Sequence, residues 1–211
     1  LYEKDPKALA STVQLVFRTG SISDPQGKEG LARISFHSLL RGTKKKSRKE
    51  FVAELERLGG SLEVDAGTNR AILSLNALSE NLEPAIRLLA EAVLEPALSE
   101  SEIKSLVDEE LAKLHQEKSN NRAILQRSFR LALFQGTPLA IPPEGTISSV
   151  SGIAAEDIRK FLATQTKNGN IVVAVNSNRP EKEVKKWLES AFASFPEGKA
   201  PAEPKFDLKK P

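Results

Sequence analysis

Hairpins alternating with amphipathic helices predict an α+β domain built in layers. Three stretches carry the prediction. Residues 61–66 and 71–77 read as strands that flank Gly67-Thr68-Asn69, the pattern of a hairpin. Val13-Gln14-Leu15-Val16-Phe17 is mostly β-branched or aromatic and ends before Gly20, as a strand does. Leu82, Ile86, Leu89, Ala90 and Val93 recur at helical spacing, which gives one apolar face to lay on a sheet.

The remaining elements follow in chain order. Asp24-Pro25-Gln26-Gly27 is a turn. Residues 29–41 have a helical pattern that stops at Gly42. Phe51, Val52, Leu55 and Leu58 mark a second helix, terminated by Gly59-Gly60. After the helix of Leu82, Ser99 and Glu102 have the spacing of a capping box, and the helix they open runs past Leu114. Another helix is expected over 123–134, and the prolines within 138–143 break the chain. Residues 154–162 read as helix, 171–175 as a buried strand, and 180–195 as a helix with proline in its first turn. Residues 196–211 are rich in Pro and Lys and lack an apolar period, so a linker is expected there.

The 211 residues, 39% hydrophobic and 28% charged, suit one large domain or at most two small ones. Cysteine is absent, which removes disulfides, thiolate nucleophiles and Cys-based metal sites. The net charge of +3 and the few aromatics argue against nucleic acid as a partner. The run Lys44-Lys45-Lys46-Ser47-Arg48-Lys49 reads as a solvated turn before a helix. No apolar run is long enough for a membrane span. The chain has no Met and its first residues do not form a signal peptide. The true N-terminus is therefore expected to lie outside this chain. Bacterial periplasm or cytoplasm is the expected compartment.

The most informative stretch is Gly30-Leu31-Ala32-Arg33-Ile34-Ser35-Phe36-His37-Ser38-Leu39-Leu40-Arg41-Gly42-Thr43. It resembles the pitrilysin/insulinase family of metallopeptidases, including the processing-type enzymes, which carry G-L-A-H-x-x-E-H-x-x-x-x-G-T here. Gly20-Ser21, Gly27-Lys28-Glu29-Gly30 and Glu56-Arg57-Leu58-Gly59-Gly60-Ser61-Leu62 fit the same family. So do Pro138-Leu139, Gly145-Thr146 and the helix from Glu156 to Phe161. Several motifs in the right order are more specific than one short match. The resemblance implies a two-layer domain, a mostly antiparallel mixed sheet covered by helices, over residues 1–196. It also implies that 197–211 lead toward a second homologous domain.

The family's chemistry needs two His four residues apart on a helix, so that both imidazoles share one zinc ion. A Glu before the second His deprotonates zinc-bound water, and a Glu on a later helix completes the ligand set. Carried onto this chain, the first ligand position is Arg33, the base position is Phe36, and only His37 matches. Counting along the family's spacing puts the third ligand at Lys113. A guanidinium offers no lone pair to a metal, and a phenyl ring moves no proton. Neither metal nor cofactor is therefore expected. Each position also has an ordinary structural role. Arg33 pairs with a carboxylate, Phe36 joins the core, and His37 is a satisfied helix histidine. Lys113 snorkels or pairs with Glu109. A sharper reading groups Arg33, His37 and Lys113 as a cationic pocket for an external carboxylate. His115 points to another face of its helix than Lys113. Glu63, Val64, Asp65 and Ala66 occupy the place where active relatives hold substrate by main-chain pairing, so they are a candidate peptide-binding strand.

The resemblance then implies a catalytically inactive homologue, the substrate-binding or regulatory subunit or half of a processing-type peptidase. Its expected partners are a homologous zinc-bearing subunit and a peptide or unfolded protein. Two alternatives are a scaffold subunit of a larger complex, and a peptidase working through an unorthodox site.

Overall fold

The structure is a computed structural model that describes residues 1–202. Five strands form one sheet: β1 (Tyr2–Lys4), β2 (Ala10–Phe17), β3 (Ser61–Ala66), β4 (Ala71–Leu78) and β5 (Ile171–Ser177). Their order is β1-β5-β2-β4-β3, parallel between β1 and β5 and antiparallel elsewhere. The mixed, mostly antiparallel sheet is the one expected.

The alternation of side chains sets its two faces apart. Val13, Leu15 and Phe17 of β2 and Leu73, Leu75 and Ala77 of β4 are at most 1% exposed. Their neighbours Thr12, Gln14, Val16, Ile72, Ser74 and Asn76 are half-buried and face away. The helices α1 (Leu31–Ser38), α2 (Arg48–Arg57), α3 (Leu82–Leu94), α4 (Glu100–Glu117), α6 (Ile147–Ser151), α7 (Ala155–Gln165) and α8 (Glu181–Ala191) bring buried apolar residues to the first face. One further helix, α5 (Asn121–Leu133), has no buried residue. Arginines fasten it instead: Arg127 to Glu117 and to the Gly145 carbonyl, Arg130 to the Leu139 carbonyl.

The one-sided sheet corrects two readings. The run from Ile171 was expected to be a buried strand, yet Val172 is 42% exposed because none of the described helices covers the second face. At α4 only half of the expected capping box forms. The Ser99 hydroxyl accepts the Glu102 amide, whereas the Glu102 carboxylate turns to Arg41 (3.9 Å) and Arg48 (4.0 Å). The strand β1 and the short helix α6 had no signal in the sequence. The expected linker lies mostly outside the described residues; at its start the Pro196 and Gly198 carbonyls accept amides of Asn168 and Gly169.

Candidate functional site

The residues singled out in the sequence sit on α1 and α4, which pack together. The start of α1 is built with care. Gly30 precedes it in the left-handed region (φ 100°), and the Asp24 carboxylate accepts the amides of Gly30 (2.8 Å) and Ala32 (2.7 Å). These are amides that no helical carbonyl reaches. The Gly145-Thr146 turn closes on the same point. Gly145 has φ 73°, and a Cβ there would stand 2.1 Å from the Glu29 carbonyl oxygen. Thr146 caps α6, whose Ser149 hydroxyl donates to that Glu29 carbonyl at 2.7 Å. Two motifs far apart in sequence thus fix one helix start. That helix is shorter than expected, because the Gly30 backbone is not helical and Leu39–Leu40 are a turn.

The four-residue spacing of Arg33 and His37 puts both on the side of α1 that meets α4. At the centre of the cluster lies Glu110, whose side chain is 4% exposed. Arg33 Nε donates to Glu110 Oε2 at 3.3 Å, and Lys113 Nζ donates to Glu110 Oε1 at 2.6 Å. Burial opposes ionisation of Glu110, but Lys113 and Arg33 outweigh it and hold the carboxyl below its usual range. Lys113 itself reaches in from an exposed position. The pairing expected between Lys113 and Glu109 is corrected: Arg41 takes Glu109 with both guanidinium nitrogens, at 2.9 and 2.5 Å. A two-pronged guanidinium–carboxylate pair wins over one ammonium. The cationic pocket expected for an external carboxylate is corrected too, because Arg33 and Lys113 close on the chain's own Glu110.

Phe36 is fully buried and its ring stands 5.2 Å from that of Phe17 in the sheet. His37 is half-buried, and its Nε2 has no hydrogen-bond partner, unlike the satisfied histidine expected. Burial first, then the charges of Arg33, Lys113 and Arg41, press its pKa down to about 4, with Glu110 pulling the other way. The folded imidazole is therefore neutral at pH 7. On acidification the unfolded chain takes up this proton before the folded chain does, so stability falls as pH drops from the ordinary imidazole range toward 4. Replacing His37 with Leu is expected to remove about 3 kcal/mol of the acid-induced loss, read as the change in urea midpoint between pH 7 and pH 4.

A metal does not fit this arrangement. Two side chains, His37 and Glu110, have suitable donor atoms, and the oxygens of Glu110 are already held by cations. Among the described residues no three His, Asp or Glu converge as a ligand set. His115 is on the exposed side of α4, away from the cluster. Glu110 was missed in the sequence although a signal existed: it falls in the apolar stripe of Ile103, Leu106, Val107 and Leu114. A carboxylate in a buried stripe demands a partner. The candidate strand residues Glu63, Val64, Asp65 and Ala66 form β3, at the edge of the sheet, and α1 packs against it.

The chain is similar to several known proteins. Residues 1–147 match the family model described as insulinase, peptidase family M16. Over 207 residues the chain is 28% identical to the "Non-peptidase homolog YmxG" of Helicobacter pylori, covering 98% of this chain and 48% of that protein. It is 24% identical over 193 residues to an "Uncharacterized zinc protease" of Rickettsia bellii, covering 92% and 47%. A crystal structure described as a peptidase M16 inactive domain from Pseudomonas fluorescens superposes with a TM-score of 0.90 at 23% identity, over 100% of this chain and 50% of that one. The chain spans about half the length of these relatives.

Proposed function

Since this chain belongs to the insulinase family of peptidases (peptidase family M16), we propose that it is a non-catalytic half that holds substrate beside a zinc-bearing partner. The observation that carries the proposal is the ion cluster Arg33–Glu110–Lys113. Two fixed monovalent cations do for the buried carboxylate what a metal dication would do elsewhere. A dication about 4 Å from one guanidinium would be repelled by about 8 kcal/mol at an effective dielectric near 20. It would also have to displace Arg33 or Lys113 from Glu110. With Phe36 in the core, no base stands at the position that would activate water.

What remains usable is backbone. The strand β3 ends the sheet, and an extended peptide can add to such an edge by main-chain hydrogen bonds alone. This capacity does not depend on a zinc site. The partner in the proposal is a homologous subunit that keeps the full ligand set, and the substrate is a peptide or unfolded protein. The test is a peptidase assay on this chain alone, on the zinc-bearing homologue alone, and on the two together. The expected result is no cleavage by this chain alone and enhanced cleavage by the mixture. Chelator-sensitive cleavage by this chain alone would overturn the proposal.

A further inference from the structure

We infer that the free edge of β3 selects extended peptides carrying lysine or arginine at alternate positions, with Glu63 and Asp65 as the specificity-determining residues. The inference rests on the substrate-holding role just proposed and names the chemistry of what is held.

The register of the hairpin decides which groups face outward. The Gly67 amide donates to the Arg70 carbonyl at 2.9 Å, so this opposed pair is hydrogen-bonded. Hydrogen-bonded pairs then alternate along the ladder: Asp65 with Ile72, Glu63 with Ser74, Ser61 with Asn76. The amides and carbonyls of Leu62, Val64 and Ala66 therefore turn away from β4, toward the free edge. Their side chains pack on the covered face, Leu62 and Val64 against the core and Ala66 within it. A peptide that bonds to these three residues places others opposite Glu63 and Asp65. Those are non-hydrogen-bonded pairs, in which facing side chains come closest.

The side chains waiting there are both carboxylates, and both are exposed. No described residue forms an ion pair with either, Arg70 at the hairpin turn included. The rest of the open face keeps the same sign. Across it run Glu3, Asn176, Thr12, Asn76 and Ser61 in one row, then Ala174, Gln14, Ser74 and Glu63, then Val172, Val16, Ile72 and Asp65. The strands put no Lys or Arg on this face, in a chain whose net charge is +3. Arg18 lies past the end of β2 and is tied to the Gly169 carbonyl at 2.5 Å. An acidic peptide would meet like charge along the edge, and a neutral one would leave the two carboxylates without a counter-ion.

The test is fluorescence anisotropy with the full chain at low salt. The probes are a labelled peptide with lysine at every second position, its counterpart with glutamine there, and both peptides N-methylated on the amides that would face β3. The lysine peptide is expected to bind about fivefold to tenfold more tightly than the glutamine peptide. That difference should disappear in the Glu63→Gln/Asp65→Asn variant and in about 0.5 M salt. N-methylation should abolish binding of both peptides. Equal binding of the lysine and glutamine peptides, with N-methylation still blocking, overturns the charge selection and leaves the strand reading in place. Binding indifferent to N-methylation, or no binding of either peptide, overturns the strand reading and the inference with it.

Discussion

Phe36→Glu is expected to cost at least about 4 kcal/mol of folding stability, a large share of the roughly 5–15 kcal/mol usual for a domain. The substitution is the one that would reinstate a base in the helix of Arg33 and His37. Phe36 has no exposed surface and its ring packs on Phe17 in the sheet. Glutamate there loses the ring's contacts and buries a carboxylate among apolar neighbours. The cations of the neighbouring cluster, Arg33 and Lys113, already serve Glu110. Urea unfolding followed by circular dichroism reads the effect. A variant as stable as the parent would mean that the position opens to solvent and that α1 still has room for a base. The conservative control, Phe36→Leu, should cost less, because it changes volume without adding charge.

The second large effect is expected at Arg33. Arg33→Met keeps the length of the side chain and removes its charge. Glu110 is then left with Lys113, whose own side chain is 58% exposed. Removing one partner of a buried ion pair costs about 3–5 kcal/mol. Arg33 is 22% exposed and one cation remains, so about 2–3 kcal/mol is expected here. Pairing the change with Glu110→Gln should recover most of the loss, since no buried carboxylate is then short of a cation and the exposed Lys113 is solvated. The pH dependence gives an independent reading. Glu110 is held below the usual carboxylate range in the folded chain. It therefore contributes stability that is full above that range and is lost as pH falls through the folded value. Arg33→Met raises the folded value, so the variant should lose less stability than the parent on acidification. Additive losses in the double variant would show that the two residues do not act as a pair.

These residues also show what a sequence can and cannot convey. The covered face of the sheet was partly legible: alternation is clean in β3, whereas Val16 of β2 and Ile72 of β4 put apolar side chains on the open face. The helices were legible because apolar residues recur at their period. The side on which a helix meets the body was less so. The pattern of α5 is helical, yet Leu125, Phe129 and Leu133 are all more than half exposed, and Arg127 and Arg130 face inward. Periodicity reports an apolar stripe and not what covers it. In the site, Phe36 as core and a carboxylate partner for Arg33 followed from the residue types alone. The identity of that partner did not. Counting along a family's spacing led to Lys113, whereas the helix–helix contact brings in Glu110 three residues earlier. A count across the loop that joins α3 to α4 carries an uncertainty of about a helical turn, and a turn decides which face is met. The Gly145-Thr146 motif was recognised before its reason was visible. Its reason is a backbone approach to Glu29 that only glycine permits.

The central claim is that two fixed cations have taken the place of a metal in this half of the fold. Its most direct test is the zinc content of the purified chain after equilibrium dialysis against buffered zinc, measured by atomic emission. The account predicts far less than one zinc per chain, unchanged by His37→Leu. One tightly held zinc per chain, lost on His37→Leu or Glu110→Gln, would contradict it.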